Sequence, residues 1–133
     1  MKDITNDTKS NLVKILQADK NIIAAYIFGS QISGTAGKKS DLDLALVVKD
    51  ESAVNYGEIY FQINQLFADL EADVRIVSIN SSPLFLFQIL KTGICVYKIE
   101  EKERINFEVS VLKNYYDGEH LRNIYNYYLK NSL

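Results

Sequence analysis

Four stretches of the chain are apolar in the manner of strands, and four carry apolar residues at helical spacing. Ile22 to Phe28 is a near-continuous apolar run, which predicts a first strand buried on both faces. Leu42 to Val48 predicts a second strand. Asp73 to Ile79 is dominated by β-branched residues and predicts a third, and Ile94 to Tyr97 a short fourth. Leu12, Val13, Ile15 and Leu16 predict a first helix from Lys9 to about Gln17 or Ala18, capped by Asp7 or Thr8. Val54, Ile59, Ile63, Leu66, Phe67 and Leu70 form a stripe that predicts a helix from Ala53 to Leu70, weakened by Gly57. Ser82 as cap and Pro83 in the first turn predict a helix over Leu84 to Lys91, stopped by Thr92-Gly93. From Glu100 to Leu133 the pattern is mostly helical, with a break expected at Asp117-Gly118. The order helix, strand, strand, helix, strand, helix, strand, helix implies an α/β (α+β) fold, a small mixed sheet of about four strands flanked by helices.

Composition narrows this picture. With 133 residues, 47% hydrophobic and 24% charged, the chain fits one domain, residues 1–133, with a helical C-terminal segment from about residue 100. A net charge of −2 argues against a large basic face for extensive nucleic-acid binding. The single cysteine, Cys95, lies in an apolar stretch and reads as a small buried hydrophobe rather than a nucleophile. One cysteine gives no internal disulfide and no support for an oxidising compartment. The polar N-terminus lacks a signal-peptide core, and no apolar run approaches the ~20 residues that span a bilayer. A cytoplasmic protein without a membrane partner is expected.

The chemistry concentrates between the first two strands. Gly29-Ser30 leaves the first, and Asp41-Leu42-Asp43 opens the second. Asp41 and Asp43 stand at the strand period, so both project from one face, roughly 7 Å apart along the chain. Were the carboxylates to converge to ~4 Å at an effective dielectric of ~20, they would repel by about 4 kcal/mol. A hard divalent cation removes that cost, and Mg²⁺ is the usual one where phosphates are present. A short helix starting near Ser30 would aim its hydroxyl and the following amides at an anion.

Gly29-Ser30, ten intervening residues and Asp41-Leu42-Asp43 match the GSx10DxD signature of the polymerase beta-like nucleotidyltransferase superfamily. With Asp73 on a later strand and the closing Gly93 to Tyr97 segment, the stretch from Ile22 to Tyr97 resembles a minimal nucleotidyltransferase of the MntA-like kind. That kind is the antitoxin half of HEPN/MNT toxin–antitoxin pairs. The resemblance implies Mg²⁺-dependent transfer of AMP from ATP to a tyrosine hydroxyl of a cognate HEPN toxin. It assigns Gly29 and Ser30 to the triphosphate and Asp41, Asp43 and Asp73 to Mg²⁺, with two ions expected. Many relatives carry an Ala-Arg-Gly step where this chain has Ile32-Ser33-Gly34; Lys38 or, as the assigned phosphate contact, Lys39 stands in the same loop. The absent arginine supports an alternative, a binding module of the same fold that neutralises its partner by occlusion. A small-molecule nucleotidyltransferase is a third reading, for which nothing beyond the minimal core is present.

Blander roles stand beside these. Glu71 or Asp69 competes with Asp73 as the third acid, and Arg75 either touches phosphate or pairs with a carboxylate. Lys38-Lys39 fits a solvated loop, and the lone His120 a surface or packing position. Val109, Leu112, Tyr116, Leu121, Ile124 and Tyr128 form one helical stripe, suited either to the domain's own core or to a partner chain in a homo- or hetero-oligomer.

Overall fold

The structure, a computed structural model, describes residues 6–29, 42–68 and 70–131. Its elements are α1 (Asn6–Gln17), β1 (Ile22–Phe28), β2 (Leu42–Val48), α2 (Tyr56–Asn64), β3 (Ala72–Val77), α3 (Pro83–Thr92), β4 (Ile94–Lys98) and α4 (Glu101–Asn131). The strands form one sheet in the order β3-β2-β1-β4. β1 runs antiparallel to both β2 and β4, while β2 and β3 are parallel, so the sheet is mixed and flanked by helices as expected.

The apolar runs of β1 and β2 are continuous because both faces of the sheet are covered. On one face Ile22, Ala25, Ile27, Leu42, Leu44 and Leu46 meet Leu12 and Leu16 of α1 and Ile63 of α2. On the other, Ala24, Tyr26, Ala45, Val47 and Val77 meet Leu86 and Ile89 of α3 and Phe107 and Val111 of α4. The two alanines leave room there for a helix to approach the strands. Each fully buried leucine or isoleucine contributes about 1.5–3 kcal/mol.

Several boundaries differ from the pattern reading. Asn6 is already helical, so Asp7 and Thr8 lie within α1 rather than at its cap. The helix expected over Ala53 to Leu70 is shorter. A 3-10 turn occupies Glu51–Ala53, and Asn55 then caps α2 by accepting from the Glu58 N–H at 3.2 Å. The helix ends at Asn64 because that side chain has another task. Its amide accepts from the Ala72 N–H at 2.6 Å and donates to the Ala72 carbonyl at 3.1 Å, as a neighbouring strand would. The Tyr56 hydroxyl likewise donates to the Val74 carbonyl at 2.9 Å. α2 thereby blunts the edge of β3 against unwanted strand pairing. Leu66, Phe67 and Leu70 still pack on the core, from outside the helix.

No break occurs at Asp117-Gly118: α4 runs unbroken for 31 residues. A helical glycine costs only about 1 kcal/mol against alanine, which is too little to end a long helix. α4 is tied to the sheet by a polar chain. The Tyr26 hydroxyl donates to Glu108 at 2.5 Å, Arg104 donates to Glu108 at 2.9 Å, and Arg104 also grips Glu101 with two bonds. Phe87 of α3 stacks on Tyr115 with ring centroids 3.9 Å apart. The expected stripe from Val109 to Tyr128 does not enter this domain's core; its residues are 39–66% exposed, and Phe107 and Val111 supply the buried contacts instead. Cys95 is half-buried, its thiol donating to the Tyr97 carbonyl and pushed up in pKa by burial, and His120 is exposed. No described helix is long and apolar enough to cross a membrane.

Candidate functional site

β1 ends where β2 and β3 begin, and the pairing aligns one residue from each. Phe28 stands opposite Asp43, and Asp43 opposite Asp73. All three lie on the face that carries Ala45, Val47 and Val77, since they share the parity of those residues along their strands. Neighbouring strands are about 4.8 Å apart, so the two carboxylates project side by side at roughly 5 Å. Their repulsion is about 3 kcal/mol at an effective dielectric of ~20 and about 1 kcal/mol in full solvent. Asp43 is half-buried and the Asp73 side chain is 39% exposed, so the pair lies between these limits.

Gly29 closes the row. Its φ of +89° lies in the left-handed region, and a Cβ built there would collide with Asp43 Oδ2. Glycine is therefore required twice, by the turn and by the carboxylate lying over it. The Arg75 guanidinium reaches Asp73 Oδ2 from Nε and Nη2, both at 3.4 Å, and offsets part of the charge on the pair. Phe28 itself meets Phe85 of α3 edge-on at 5.8 Å, which makes an aromatic wall beside the carboxylates.

Of the site residues expected from sequence, the structure brings together Gly29, Asp43 and Asp73. It leaves Glu71 aside, because that carboxylate accepts from the Tyr60 hydroxyl of α2. Arg75 pairs with Asp73. Ser30, Ser33, Lys38, Lys39, Asp41 and Asp69 lie outside the described residues. No group of three or more His, Cys, Asp or Glu gathers among the described residues. The Phe28–Phe85 wall was missed in the sequence. Phe28 was readable only as the end of a buried strand, and its place beside the carboxylates depends on register. Chemically, two adjacent carboxylates beside a cation-bearing arm and a glycine turn suit a hard divalent ion and a phosphate-bearing ligand.

The chain belongs to the polymerase beta nucleotidyltransferase family, whose pattern it matches over residues 10–102. Among solved structures, it resembles a chain of a toxin–antitoxin crystal structure with AMP-PNP, at 22% identity and a TM-score of 0.60, over 93% of this chain and 97% of that one. It also resembles a chain of the MntA–HepT toxin–antitoxin, at 19% identity and a TM-score of 0.57, over 96% and 98% of the two chains. A third likeness is to a chain from Shewanella oneidensis, in a tri-AMPylated HEPN toxin bound to its MNT antitoxin. There the identity is 20% and the TM-score 0.58, over 94% and 95%. At such identities the likeness is one of fold. No curated protein is significantly similar to the chain.

Proposed function

We propose that this protein is a Mg²⁺-dependent adenylyltransferase that moves AMP from ATP onto a tyrosine hydroxyl of a HEPN-type toxin and thereby acts as its antitoxin. The observation that carries the reading is the row Gly29, Asp43 and Asp73, where two carboxylates share one register position beside a positive-φ glycine. Family membership supports the reaction class. The fold shared with chains of toxin–antitoxin structures, one with AMP-PNP and one with a tri-AMPylated toxin, supports the choice of nucleotide and partner.

The donor set fits Mg²⁺: paired hard oxygens on one face, with Asp41 two residues before Asp43 as the expected third donor. When bound, the metal neutralises charge on the triphosphate and on the attacking oxygen. The chain's own residues then position the groups. Gly29 lets the backbone approach a phosphate, and Asp43 anchors the site from the central strand pair. Asp73 accepts the proton of the attacking hydroxyl, its carboxylate oriented by Arg75. The tyrosine oxygen bonds to the α-phosphorus and pyrophosphate leaves with the electron pair of the broken P–O bond. Positioning and charge neutralisation supply the rate.

The test incubates the protein with labelled ATP, Mg²⁺ and the product of the neighbouring gene. Label is expected on a tyrosine of that product, and the Asp43→Asn plus Asp73→Asn variant is expected to lose the activity by 10³-fold or more, on the order of a removed electrostatic stabiliser. Absence of label with the native protein, or equal transfer by the double variant, refutes the enzymatic reading.

A further inference from the structure

Helix α4 continues well past the last residues that touch the domain. Every residue from His120 to Asn131 is solvent-exposed, a twelve-residue arm about 18 Å long. Half of those residues are large and apolar: Leu121, Ile124, Tyr125, Tyr127, Tyr128 and Leu129 are 41–66% exposed. At 100° per residue they span an arc of about 200°. Arg122, Asn123, Asn126 and Lys130 fill the opposite arc, while His120 and Asn131, at the two ends of the arm, fall within the apolar one. An ordinary surface helix has an apolar stripe about 100° wide. A single flat neighbour covers only half of the wider arc, whereas a groove covers it from both sides. The six residues offer roughly 800 Å², the area one partner contributes to a standard interface.

The same arm of a second copy is itself convex, and one helix laid on another covers a narrow seam rather than the whole arc. We propose that the last three turns of α4 are a docking element for a partner of different sequence. The arm lies in an apolar groove of that partner, with polar groups at the groove walls meeting the tyrosine hydroxyls. The inference rests on the antitoxin reading above, which supplies the partner, and it assigns to that partner a surface remote in sequence from the carboxylates. The arm continues a helix already nucleated on the domain, and docking protects its exposed last turns from fraying.

The test measures binding of the full chain to the neighbouring gene's product by calorimetry, amide hydrogen exchange over residues 120–131, and sedimentation of the chain alone. Leu121→Asp with Tyr125→Asp disrupts the apolar arc at exposed positions that do not hold the fold; Asn126→Ala alters the polar arc. The expected results are a loss of affinity of about 100-fold or more for the first variant, near-native affinity for the second, protection of the arm in the complex, and a monomer alone. Equal binding by the arc variant, no arm protection, no binding by the native chain, or a dimer of the chain alone that the arc variant abolishes each overturns the proposal. Label transfer, read on the same samples, separates the two ideas. Transfer with arm-independent binding removes the docking element only, and arm-dependent binding without transfer removes the catalytic reading only.

Discussion

Gly29→Ala isolates the contribution of the turn to the site. With φ at +89°, an alanine there pays a left-handed backbone penalty of about 1–2 kcal/mol. The new Cβ also meets Asp43 Oδ2, so the carboxylate must rotate away at roughly 0.5–1.5 kcal/mol for an off-rotamer side chain. The expected loss of stability is therefore about 2–3 kcal/mol, read as a shift in the urea midpoint at constant slope. The effect on transfer is larger in proportion, because a displacement of ~1 Å at a reacting centre costs about 10²-fold. Gly93→Ala provides the comparison. Gly93 has an ordinary φ of −91°, but its added Cβ collides with the Ile89 carbonyl and crowds that of Ile27, neither of which can rotate aside. That variant is expected to lose as much stability, while its folded fraction, whose new Cβ only touches Phe28 Cβ at the edge of the site, keeps more of its transfer activity than Gly29→Ala. A Gly29→Ala protein that is destabilised yet transfers label at the native rate refutes the placement of the site beneath this turn.

Other consequences can be checked on the same protein. Mg²⁺ is expected to raise the melting temperature of the native protein, and Asp43→Asn or Asp73→Asn to abolish that gain, because the ion binds the folded pair. A thermal melt with and without Mg²⁺ reads both. Asn64→Ala strips the caps from the Ala72 N–H and carbonyl, with an expected cost of about 2–3 kcal/mol and faster aggregation by light scattering. Hydrogen bonds from Arg104, with Lys98 nearby, hold the Glu101 carboxyl down to about 2 from 4.5. Its contribution is complete above pH 4.5 and disappears as the pH falls toward 2, so the stability difference between native protein and Glu101→Gln narrows across that window. Burial, then the Glu108 carboxylate, push the Tyr26 phenol well above its usual 10.0. The contribution of that phenol is complete below pH 10 and declines at higher pH, a decline that Tyr26→Phe abolishes in alkaline denaturation.

The strand cores were legible because burial on both faces leaves an uninterrupted apolar run: β1 and β2 begin and end where the pattern places them. The Ser82 and Pro83 start of α3 was equally readable, since a cap and a first-turn proline act locally. The end of α2 was not. Leu66, Phe67 and Leu70 continue the apolar spacing, but Asn64 satisfies the backbone of a strand eight residues on, and such a bond has no signature in local periodicity. The choice between core and partner for the stripe on α4 was not legible for a related reason. Spacing shows that Val109, Leu112 and Tyr116 share a face, but not whether the sheet or the solvent meets it, and here Phe107 and Val111 turn to the sheet. At the site, the two-residue period puts Asp73 on a face with Arg75; that Glu71 turns instead to Tyr60 depends on where α2 packs.

The same parity decides how far the carboxylates can be changed without disturbing the fold. A slip of one residue in β2 would carry Asp43 into the core of Leu12 and Ile63, and Leu44 out of it, so the register is held by the apolar residues of the strand. Ala45 and Val47, packed against α3 and α4, and Leu44 and Leu46, packed against α1 and α2, fix that register from both sides of the sheet. β3 is fixed in the same way by Val74 and Val77 and by the Asn64 clamp on Ala72. Asp43 and Asp73 thus lie at the ends of strands whose positions are determined without them. Replacing both by asparagine should leave near-native circular dichroism, cooperative unfolding and, if the arm of α4 is the docking element, native affinity for the partner. Loss of partner binding by a double variant that remains folded would instead place the binding surface at the carboxylates themselves.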